Sequence, residues 1–358
     1  MDSRFFDILG HFALEGTPVS CEIFGCGHVN KTYLVITETG HRYTLQKIGP
    51  AFKDVHALQE NISAITNHLH KKTADAYGAL TLVPTKEEGE DHFHCPKGGT
   101  WRVYEFIEGG ICLEAPETPE DFYQSALAFG QFQQQLVDFP AETLHETIPH
   151  FHDTPDRYRI FREVLVKDPM GRAKDVAEEI AFVLAREEKA GTLAALLASG
   201  ELPLRVTHND TKLNNVMFHA SDRTPLCVMD LDTTMPGLSA YDYGDAIRFG
   251  ASTAAEDEKD LSKVSMDLEL FRLFTKGFLE ACPGLTEKEK EVLPLGAYTM
   301  TLECGTRFLT DYIDGDNYFG IHYPEHNLDR CRTQFKLVAD MEAKWEEMQR
   351  IVKECDQK

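Results

Sequence analysis

The hydrophobic and polar positions divide the chain into a first part of short alternating runs and a longer second part with helical spacing. Short runs rich in β-branched, aromatic and aliphatic residues predict strands. Five such runs occur in the first part, at residues 21–24, 32–36, 42–48, 80–83 and 101–107. Helices are predicted at 3–14 and 55–71, because apolar residues there gather on one side. The first part therefore predicts a small, sheet-rich lobe.

The second part of the chain is predicted to be mainly helical from Pro119 onward. Apolar residues recur at helical spacing in six stretches, at residues 122–139, 157–166, 175–197, 264–281, 287–312 and from 333 onward. The pair Gly109 and Gly110 separates the two parts. We predict an α+β protein of two lobes: a β-rich lobe at residues 1–108, with a hinge near 105–110, and a helical lobe at 109–358.

The most informative stretch interrupts the helical part between residues 204 and 248. Two short apolar runs, 204–206 and 226–229, predict buried strands joined by a turn-rich link. The first run leads into the sequence HNDTK, with an asparagine five residues beyond its aspartate, and the second ends in DLD. A hairpin would hold these polar ends close together, at positions where an ordinary core has no polar side chains.

These polar residues are the ones that phosphoryl transfer requires. The carboxylate of Asp210 can orient an acceptor hydroxyl and take its proton, and Lys212 can spread the charge on the moving phosphoryl group. Asn215 and Asp230 offer the oxygen ligands that Mg²⁺ prefers, and Asp232 could bind a second Mg²⁺ directly or through water. The alternative is that these side chains only cap turns.

Further candidates for binding lie on either side of this stretch. Gly25 and Gly27 separate two predicted strands, where backbone N–H groups can approach phosphate oxygens, although an ordinary turn has the same composition. Arg307 and Tyr318 are candidates to contact an acceptor, the guanidinium through sugar oxygens and the ring over an apolar sugar face; a surface salt bridge is the alternative. Segment 146–155, with two histidines and two prolines, predicts either a metal site or a rigid loop lining the acceptor pocket.

Composition excludes several classes of function. The chain has 36 Lys and Arg against 59 Asp and Glu, a formal charge of −23, which argues against a nucleic-acid partner. Nine dispersed cysteines without C-x-x-C pairs predict reduced thiols in a cytoplasmic protein. Charges interrupt the apolar residues of the N-terminus, and no apolar run approaches membrane length, so we expect neither a signal peptide nor a membrane partner. We expect a small-molecule substrate and, as the simplest assumption, a monomer.

The order of these motifs resembles the aminoglycoside phosphotransferase and choline kinase-like branch of the protein-kinase-like superfamily, and more closely the N-acetylhexosamine 1-kinases. The resemblance spans nearly the whole chain and rests on the stretches GCGHVNKTYLV, ETIPHFHDTPDRY, RVTHNDTKLNN, MDLDTTMPG, YDYGDAIRFGASTA and YPEHNLDR. It implies a bilobal kinase-like fold. It also implies ATP- and Mg²⁺-dependent phosphorylation of the anomeric (C1) hydroxyl of N-acetylglucosamine or N-acetylgalactosamine, giving the sugar 1-phosphate.

The resemblance assigns nucleotide contacts to the first lobe. Lys47, on the third predicted strand, is expected to bind the α- and β-phosphates, with Glu60 of the following helix as its partner. Backbone groups near Glu105 and Ile107 are expected to bind adenine. Asn30 belongs to the glycine loop, at a position where a third glycine might be expected.

The resemblance also assigns roles near the acceptor. It implies that Asp210 is the base and that His28 faces the sugar or the γ-phosphate. An aspartate after the metal-binding strand is expected to brace the loop around Asp210 through hydrogen bonds to its backbone. Asp242 is the first candidate for this brace and Asp245 the second.

Three alternatives remain open from the sequence. The run from Asp230 to Thr234 also matches the D-x-D-x-T loop of haloacid-dehalogenase-type phosphatases, in which the first aspartate attacks phosphate and the second is an acid and base. A second alternative is a kinase-like binding module without activity. A third keeps the chemistry but changes the acceptor to another sugar, an aminoglycoside, homoserine or a choline-like amino alcohol.

Overall fold

The computed structural model describes residues 3–25, 30–73, 78–87, 89–96 and 98–357. The chain forms two compact units. The first comprises residues 1–111 with 142–149 and 217–235, and the second comprises residues 112–141, 150–216 and 236–358. Two segments that come late in the sequence therefore pack with the N-terminal unit, and one of them carries the DLD sequence. The first unit has an antiparallel sheet and the second is helical, which confirms the predicted fold class.

The first unit is built from two helices and a five-stranded sheet. In chain order these elements are α1 (Ser3–Gly10), β1 (Pro18–Ile23), β2 (Lys31–Thr37), β3 (Arg42–Lys47), α2 (Val55–Lys72), β4 (Phe93–Cys95) and β5 (Gly99–Glu105). The sheet is antiparallel with strand order β1-β2-β3-β5-β4. Alternate residues of its strands, such as Val35, Leu45 and Val103, point into the core, where the apolar side of α1 covers them.

The predicted strand at residues 80–83 is wrong. Its residues form only an isolated bridge, between Leu82 and Tyr104. Pro84 follows at once and has no N–H group with which to extend a ladder. The sheet instead gains the short edge strand β4, which the polar composition of that region conceals.

A small second sheet carries the hairpin of the informative stretch. Its strands are β6 (Gly110–Cys112), β8 (Val216–His219) and β9 (Pro225–Val228), in the order β6-β8-β9. The hairpin between β8 and β9 is the one predicted from the apolar runs. Asp230 and a short 3₁₀ turn, Leu231–Thr233, follow β9 directly.

The second unit is helical apart from one short strand pair. Its helices are α3 (Pro119–Gln135), α4 (Thr154–Lys167), α5 (Ala177–Leu184), α6 (Glu187–Ala190), α7 (Thr192–Ala198), α8 (Ser239–Gly250), α9 (Leu268–Ala281), α10 (Glu287–Glu291), α11 (Leu293–Asp314), α12 (His326–Ala343) and α13 (Trp345–Asp356). Strand β7 (Arg205–Thr207) pairs with β10 (Met235–Gly237). No helix of the described residues is long and apolar enough to span a membrane.

Helices α8 and α11 pack closely because each presents a glycine at the contact. A Cβ atom on Gly244 of α8 would collide with the carbonyl group of Gly296 of α11, and one on Gly296 would collide with the carbonyl group of Ala240. Larger residues would separate the two helices. Helix α8 carries the aspartates that hold the loop after β7, so this contact fixes them against the longest helix of the unit.

Three predicted helices are divided in the structure. The stretch at 175–197 forms three short helices, α5 to α7, and the stretch at 287–312 breaks at Val292 into α10 and α11. The stretch from 333 onward breaks at Lys344 into α12 and α13. Pro294 occupies the first turn of α11, where the missing N–H group costs nothing but ends continuity with the preceding helix. The periodicity of the apolar residues does not register such breaks.

Candidate active site

The loop at residues 208–215 follows β7 and is held by a buried carboxylate of α8. The backbone N–H groups of His208 and Asn209 donate to the two oxygens of Asp242, at 2.9 and 2.8 Å. Gln133 Nε2 donates to the same carboxylate at 2.5 Å. Burial raises the pKa of Asp242, while His208 and the backbone donors act in the opposite direction. Asp242 braces the loop, as predicted.

Asp245, the second predicted candidate, holds the next part of the same loop. Its Oδ2 accepts from the backbone N–H of Thr211 at 3.2 Å, and its Oδ1 accepts from Arg248 Nε and Nη2 at 3.0 and 2.8 Å. Burial opposes ionisation, but the charges of Arg248 and Lys212 lower the pKa of Asp245 below its ordinary value. The loop is thus held by two buried carboxylates with different electrostatic surroundings.

The braced loop brings three predicted residues together. Lys212 Nζ lies 2.9 Å from Asp210 Oδ1. Asn215 Nδ2 donates to Asp210 Oδ2 at 3.0 Å and to the Asp210 carbonyl oxygen at 2.8 Å. Burial lowers the pKa of Lys212, but Asp210 raises it above its ordinary value, so the ammonium stays charged. The Asp210 side chain keeps 30% of its surface exposed, which leaves the carboxylate accessible to an acceptor.

The 3₁₀ turn after β9 is held by an ion pair within the first unit. Asp230 adopts a left-handed conformation (φ 54°), and Asp232, two residues on, is 3% exposed. Arg102 Nη1 lies 2.6 Å from Asp232 Oδ1, and Asn30 Nδ2 donates to Asp232 Oδ2 at 2.6 Å. Both oxygens of Asp232 are therefore engaged by the protein. The role of Asp232 as a second Mg²⁺ ligand stays a prediction, and Asp230 remains the candidate for the first ion.

Arg102 is the centre of this buried cluster. It lies on β5, is 1% exposed, and donates to Gln46 Oε1 at 2.9 Å and to Gln59 Oε1 at 3.1 Å. Burial lowers the pKa of the guanidinium, but Asp232 raises it above its ordinary value. The cluster therefore links β3, α2 and β5 to the turn after β9.

Asn30 contacts the protein through both ends of its amide. Besides its bond to Asp232, its Oδ1 accepts from the backbone N–H of Gly49 at 2.9 Å, and the residue is 7% exposed. Its amide thus joins the end of the glycine loop to Asp232 and Gly49, and its role in nucleotide binding stays a prediction. The predicted contacts at Gly27 and His28 lie outside the described residues, whereas Gly25 has a positive φ of 76°, as a tight turn requires.

The predicted pair of Lys47 and Glu60 is not formed. Glu60 lies 2.8 Å from His145 and 3.4 Å from His56, and its side chain is 51% exposed. Lys47 Nζ lies 5.7 Å from the centre of the Trp101 ring. The buried ion pair of this unit is instead Arg102 with Asp232, so Lys47 remains a candidate for phosphate without a carboxylate partner among the described residues.

The two predicted adenine contacts differ in availability. The backbone N–H of Glu105 donates to Thr81 at 2.9 Å, and Glu105 pairs with Tyr43 in the sheet. That N–H group is therefore already used. Ile107, beyond the end of β5, is the better candidate of the two.

A cavity of about 180 Å³ lies between α4 and α11 in the second unit. Arg157 and Arg307 line it with Tyr318 and Phe319. Arg307 Nη2 is 3.5 Å from the Tyr318 hydroxyl, and its guanidinium carbon is 5.3 Å from the centre of the Phe319 ring. Burial and the nearby charge of Arg307 lower the pKa of Arg157. The structure thus brings the two predicted acceptor residues together and adds a second arginine.

Three residues or pairs of the site were not anticipated from the sequence. Arg102 had a signal, because it is a charged residue between two apolar neighbours, Trp101 and Val103, in a predicted strand. Arg157 lies in the conspicuous stretch DTPDRY, although no role was assigned to it. His152 lies in segment 146–155, which was singled out for its two histidines. Its pairing with Glu303, at 3.0 Å, had no signal, because the two residues are far apart in the chain.

Comparison with known families agrees with this chemistry. Residues 20–262, more than half of the chain, match the model of the APH family, the phosphotransferase enzyme family. The chain belongs to this family and is a phosphotransferase.

Solved structures share the fold at low sequence identity. A microcompartment-associated aminopropanol kinase has a TM-score of 0.65 at 18% identity, covering 97% of this chain and 98% of that one. An amicoumacin kinase in complex with AMP-PNP and Ca²⁺ has a TM-score of 0.58 at 14% identity, covering 94% and 93%. A choline kinase from Cryptosporidium parvum has a TM-score of 0.56 at 14% identity, covering 92% and 90%. These three structures share the fold and are kinases of different acceptors.

Proposed function

We propose that this phosphotransferase uses ATP and Mg²⁺ to phosphorylate the anomeric hydroxyl of N-acetylglucosamine or N-acetylgalactosamine. The chemistry is supported by the arrangement of Asp210, Lys212 and Asn215 on a braced loop. The nucleotide is supported by the solved amicoumacin kinase, which holds the ATP analogue AMP-PNP. The acceptor is supported by the resemblance to N-acetylhexosamine 1-kinases and by the cavity between α4 and α11, which we also call the groove.

The donor atoms at the proposed metal site fit Mg²⁺. Because Asn215 Nδ2 is engaged by Asp210, the other amide atom of Asn215, its Oδ1, is the one left to meet a metal. Asp230 supplies a carboxylate. Both are the hard oxygen donors that Mg²⁺ selects. When bound, the ion would neutralise charge on the ATP phosphates.

The protein's part in the reaction is mainly orientation. Asp210 would accept a hydrogen bond from the acceptor hydroxyl and take its proton late in the transfer. An anomeric hydroxyl is more acidic than an ordinary alcohol, so a strong base is not required. Lys212 holds one oxygen of Asp210, which fixes the carboxylate and places a positive charge beside the transferred group.

The observation that carries the choice of acceptor is the arginine pair in the groove. Within the described chain, neither Arg157 nor Arg307 has a carboxylate within salt-bridge distance, although acidic residues outnumber basic ones in the sequence. Two close guanidinium groups repel a cationic acceptor and donate well to hydroxyl and carbonyl oxygens. The aromatic rings beside Arg307 can cover an apolar sugar face. An uncharged N-acetylated sugar suits this groove.

The rival acceptors and reactions fit less well. Choline-like amino alcohols and aminoglycosides are cationic, so the arginine pair opposes them. Two aspartates also line the cavity: Asp314, and Asp311, whose carboxylate accepts from the backbone N–H groups of residues 317–319. A D-x-D-x-T phosphatase needs the second aspartate as acid and base, but Asp232 is buried against Arg102 and Asn30. The cationic acceptors are tested in the same assay as the N-acetylated sugars.

The test measures ATP consumption with Mg²⁺ on N-acetylglucosamine, N-acetylgalactosamine, their 1-O-methyl glycosides, choline and kanamycin. We expect turnover of the free sugars and none of the methyl glycosides, because these lack the anomeric hydroxyl. Turnover of the methyl glycosides, or of the cationic acceptors alone, would contradict the assignment.

A matched pair of arginine variants sharpens this test. Arg307→Gln should raise the sugar KM by about tenfold or more, the loss of one or two good hydrogen bonds. Arg159→Gln is the control, since Arg159 lies on α4 but pairs with Asp156 and Glu163 at the surface. Equal KM values for the two variants would remove Arg307 from the acceptor site.

A further inference from the structure

The segment between α3 and α4 carries two histidines in very different surroundings. His150 is 58% exposed at its side chain and pairs with Asp153. His152 is 8% exposed at its side chain and lies between two acceptors. Its Nδ1 is 3.0 Å from Glu303 Oε1, and its Nε2 is 3.4 Å from the carbonyl oxygen of Asn209. Asn209 directly precedes Asp210.

Glu303 is built to hold this imidazole. It lies on α11, is 1% exposed, and its second oxygen accepts from the Thr154 hydroxyl at 2.6 Å. Burial opposes ionisation, but the bonds from His152 and Thr154 and the charge of Arg307 lower the pKa of Glu303. An ionised Glu303 only accepts hydrogen bonds, as does the Asn209 carbonyl. Both ring nitrogens of His152 therefore face acceptors.

Asn209 is the point at which the loop needs support. Its φ of 65° lies in the left-handed region, which costs an asparagine less than most residues but still requires its surroundings to hold it. Asp242 holds the Asn209 N–H group, and His152 approaches the Asn209 carbonyl group from the other side. Asn209 is thus held at both its backbone N–H and its backbone carbonyl group, directly before Asp210.

We propose that Glu303 and His152 form a buried dyad that positions Asp210 for catalysis through the carbonyl group of Asn209. His152 is a positioning residue and does not touch the acceptor. The inference rests on the phosphotransferase chemistry of Asp210 and not on the identity of the acceptor. The rings of Phe151 and Tyr241 also lie beside the imidazole, with ring centres 4.5 and 5.6 Å away, and the charged Asp245 is nearby.

The test compares His152→Leu, which removes both bonds, with His152→Gln, which keeps a donor for the Asn209 carbonyl. His152→Leu should lower kcat by about a hundredfold with little change in the KM for ATP, because a small displacement of a catalytic group has this effect. His152→Gln should stay within about tenfold of wild type. His150→Asn is the matched control, since asparagine tolerates the positive φ of 57° at that exposed position. It should leave kcat unchanged.

The separate effects on kcat and KM distinguish positioning from packing. Glu303→Gln should lower kcat by about tenfold at an unchanged KM for ATP, because a neutral amide oxygen holds the imidazole less firmly than a carboxylate does. This variant carries the test if His152→Leu does not fold. A kcat within twofold of wild type, for a folded His152→Leu or for Glu303→Gln, would overturn the dyad.

The assays use whichever acceptor the wild-type enzyme turns over best. Failure of the N-acetylhexosamine proposal would appear as inactivity of the wild type on those sugars. Failure of the dyad would appear as similar kcat values for the wild type and the His152 and Glu303 variants, on an acceptor that the wild type turns over. The two outcomes are therefore distinguishable.

Discussion

The two loops that carry the proposed chemistry are each held by a buried aspartate, but the two aspartates have different kinds of partner. In the helical unit, the loop around Asp210 depends on Asp242, whose partners include two backbone N–H groups and the amide of Gln133. In the sheet unit, the turn after Asp230 depends on Asp232, which pairs with the guanidinium of Arg102. One anchor works through neutral hydrogen-bond donors, and the other through an ion pair.

The difference shows where each loop is vulnerable. Loss of one neutral donor from Asp242 leaves a weakened set of hydrogen bonds. Loss of Arg102 leaves a carboxylate in the interior without its counter-charge, which is far more costly. The ion pair also ties β3, α2 and β5 to the turn, so it should be felt throughout the sheet unit.

The largest expected effects come from substituting Asp210 in one loop and Asp230 in the other, because the two residues have different proposed roles in the reaction. Asp210→Asn should lower kcat by about 10² to 10⁴-fold, the usual contribution of a positioned base, and leave Mg–ATP binding intact. Asp230→Asn should weaken Mg–ATP binding as well. Steady-state kinetics and nucleotide titration measure both. Full activity in both variants would sink the assignment.

The next effect breaks the ion pair. Arg102→Met should destabilise the protein by about 3–5 kcal/mol, because Asp232 is left buried and unpaired. Urea unfolding measures this loss. The double variant Arg102→Met with Asp232→Leu is the control and should recover much of the stability, since well-packed apolar residues often replace a buried pair. A double variant less stable than Arg102→Met alone would contradict this explanation, because the unpaired charge of Asp232 would then not be the cause of the lost stability.

The smallest effect concerns the neutral anchor. Asp242→Asn should cost about 1–3 kcal/mol, because an amide nitrogen then faces backbone donors. Urea unfolding at several pH values also tests whether the contribution of Asp242 to stability rises or falls with pH. The pKa of Asp242 is raised from 3.8 on folding, so its contribution to stability is present below that value and is lost as pH rises through the folded pKa. The variant should lack this loss.

Asp245 provides the comparison of opposite sign. Its pKa is lowered from 3.8 on folding, so its contribution is present above that value and is lost as pH falls through the folded pKa. Asp245→Asn should therefore lose the acid-side fall in stability. Parallel pH dependence in the two variants would contradict the electrostatic distinction between the two carboxylates.

The sequence predicted what depends on local spacing. Asp210, Lys212 and Asn215 lie within one loop, and the structure brings their side chains together as their spacing suggested. The sheet-rich and helical parts follow from periodicity over short windows. Breaks within helices were not predicted, because the helical spacing of apolar residues continues across them, even next to Pro294. The edge strand β4 was not predicted, because it lies in a polar stretch.

Roles that depend on distant partners were harder to predict. Asp232 was assigned to a metal and Asn30 to a nucleotide, yet the two residues, 202 positions apart, bond to each other. Glu60 was paired with Lys47, but His145 occupies its carboxylate. In each case the residue type indicated a polar contact but did not indicate the partner. A polar side chain looks the same in the sequence whether it contacts a ligand or another part of the protein.

The most direct test of the proposed chemistry is the site of phosphorylation. N-acetylglucosamine labelled with carbon-13 at C1 is incubated with the enzyme, ATP and Mg²⁺, and the product is examined by phosphorus and carbon NMR. We predict a sugar phosphate whose phosphorus couples to the labelled carbon, formed by the wild type and not by Asp210→Asn. Phosphate on any other carbon, or product formed equally well by the variant, would contradict the account.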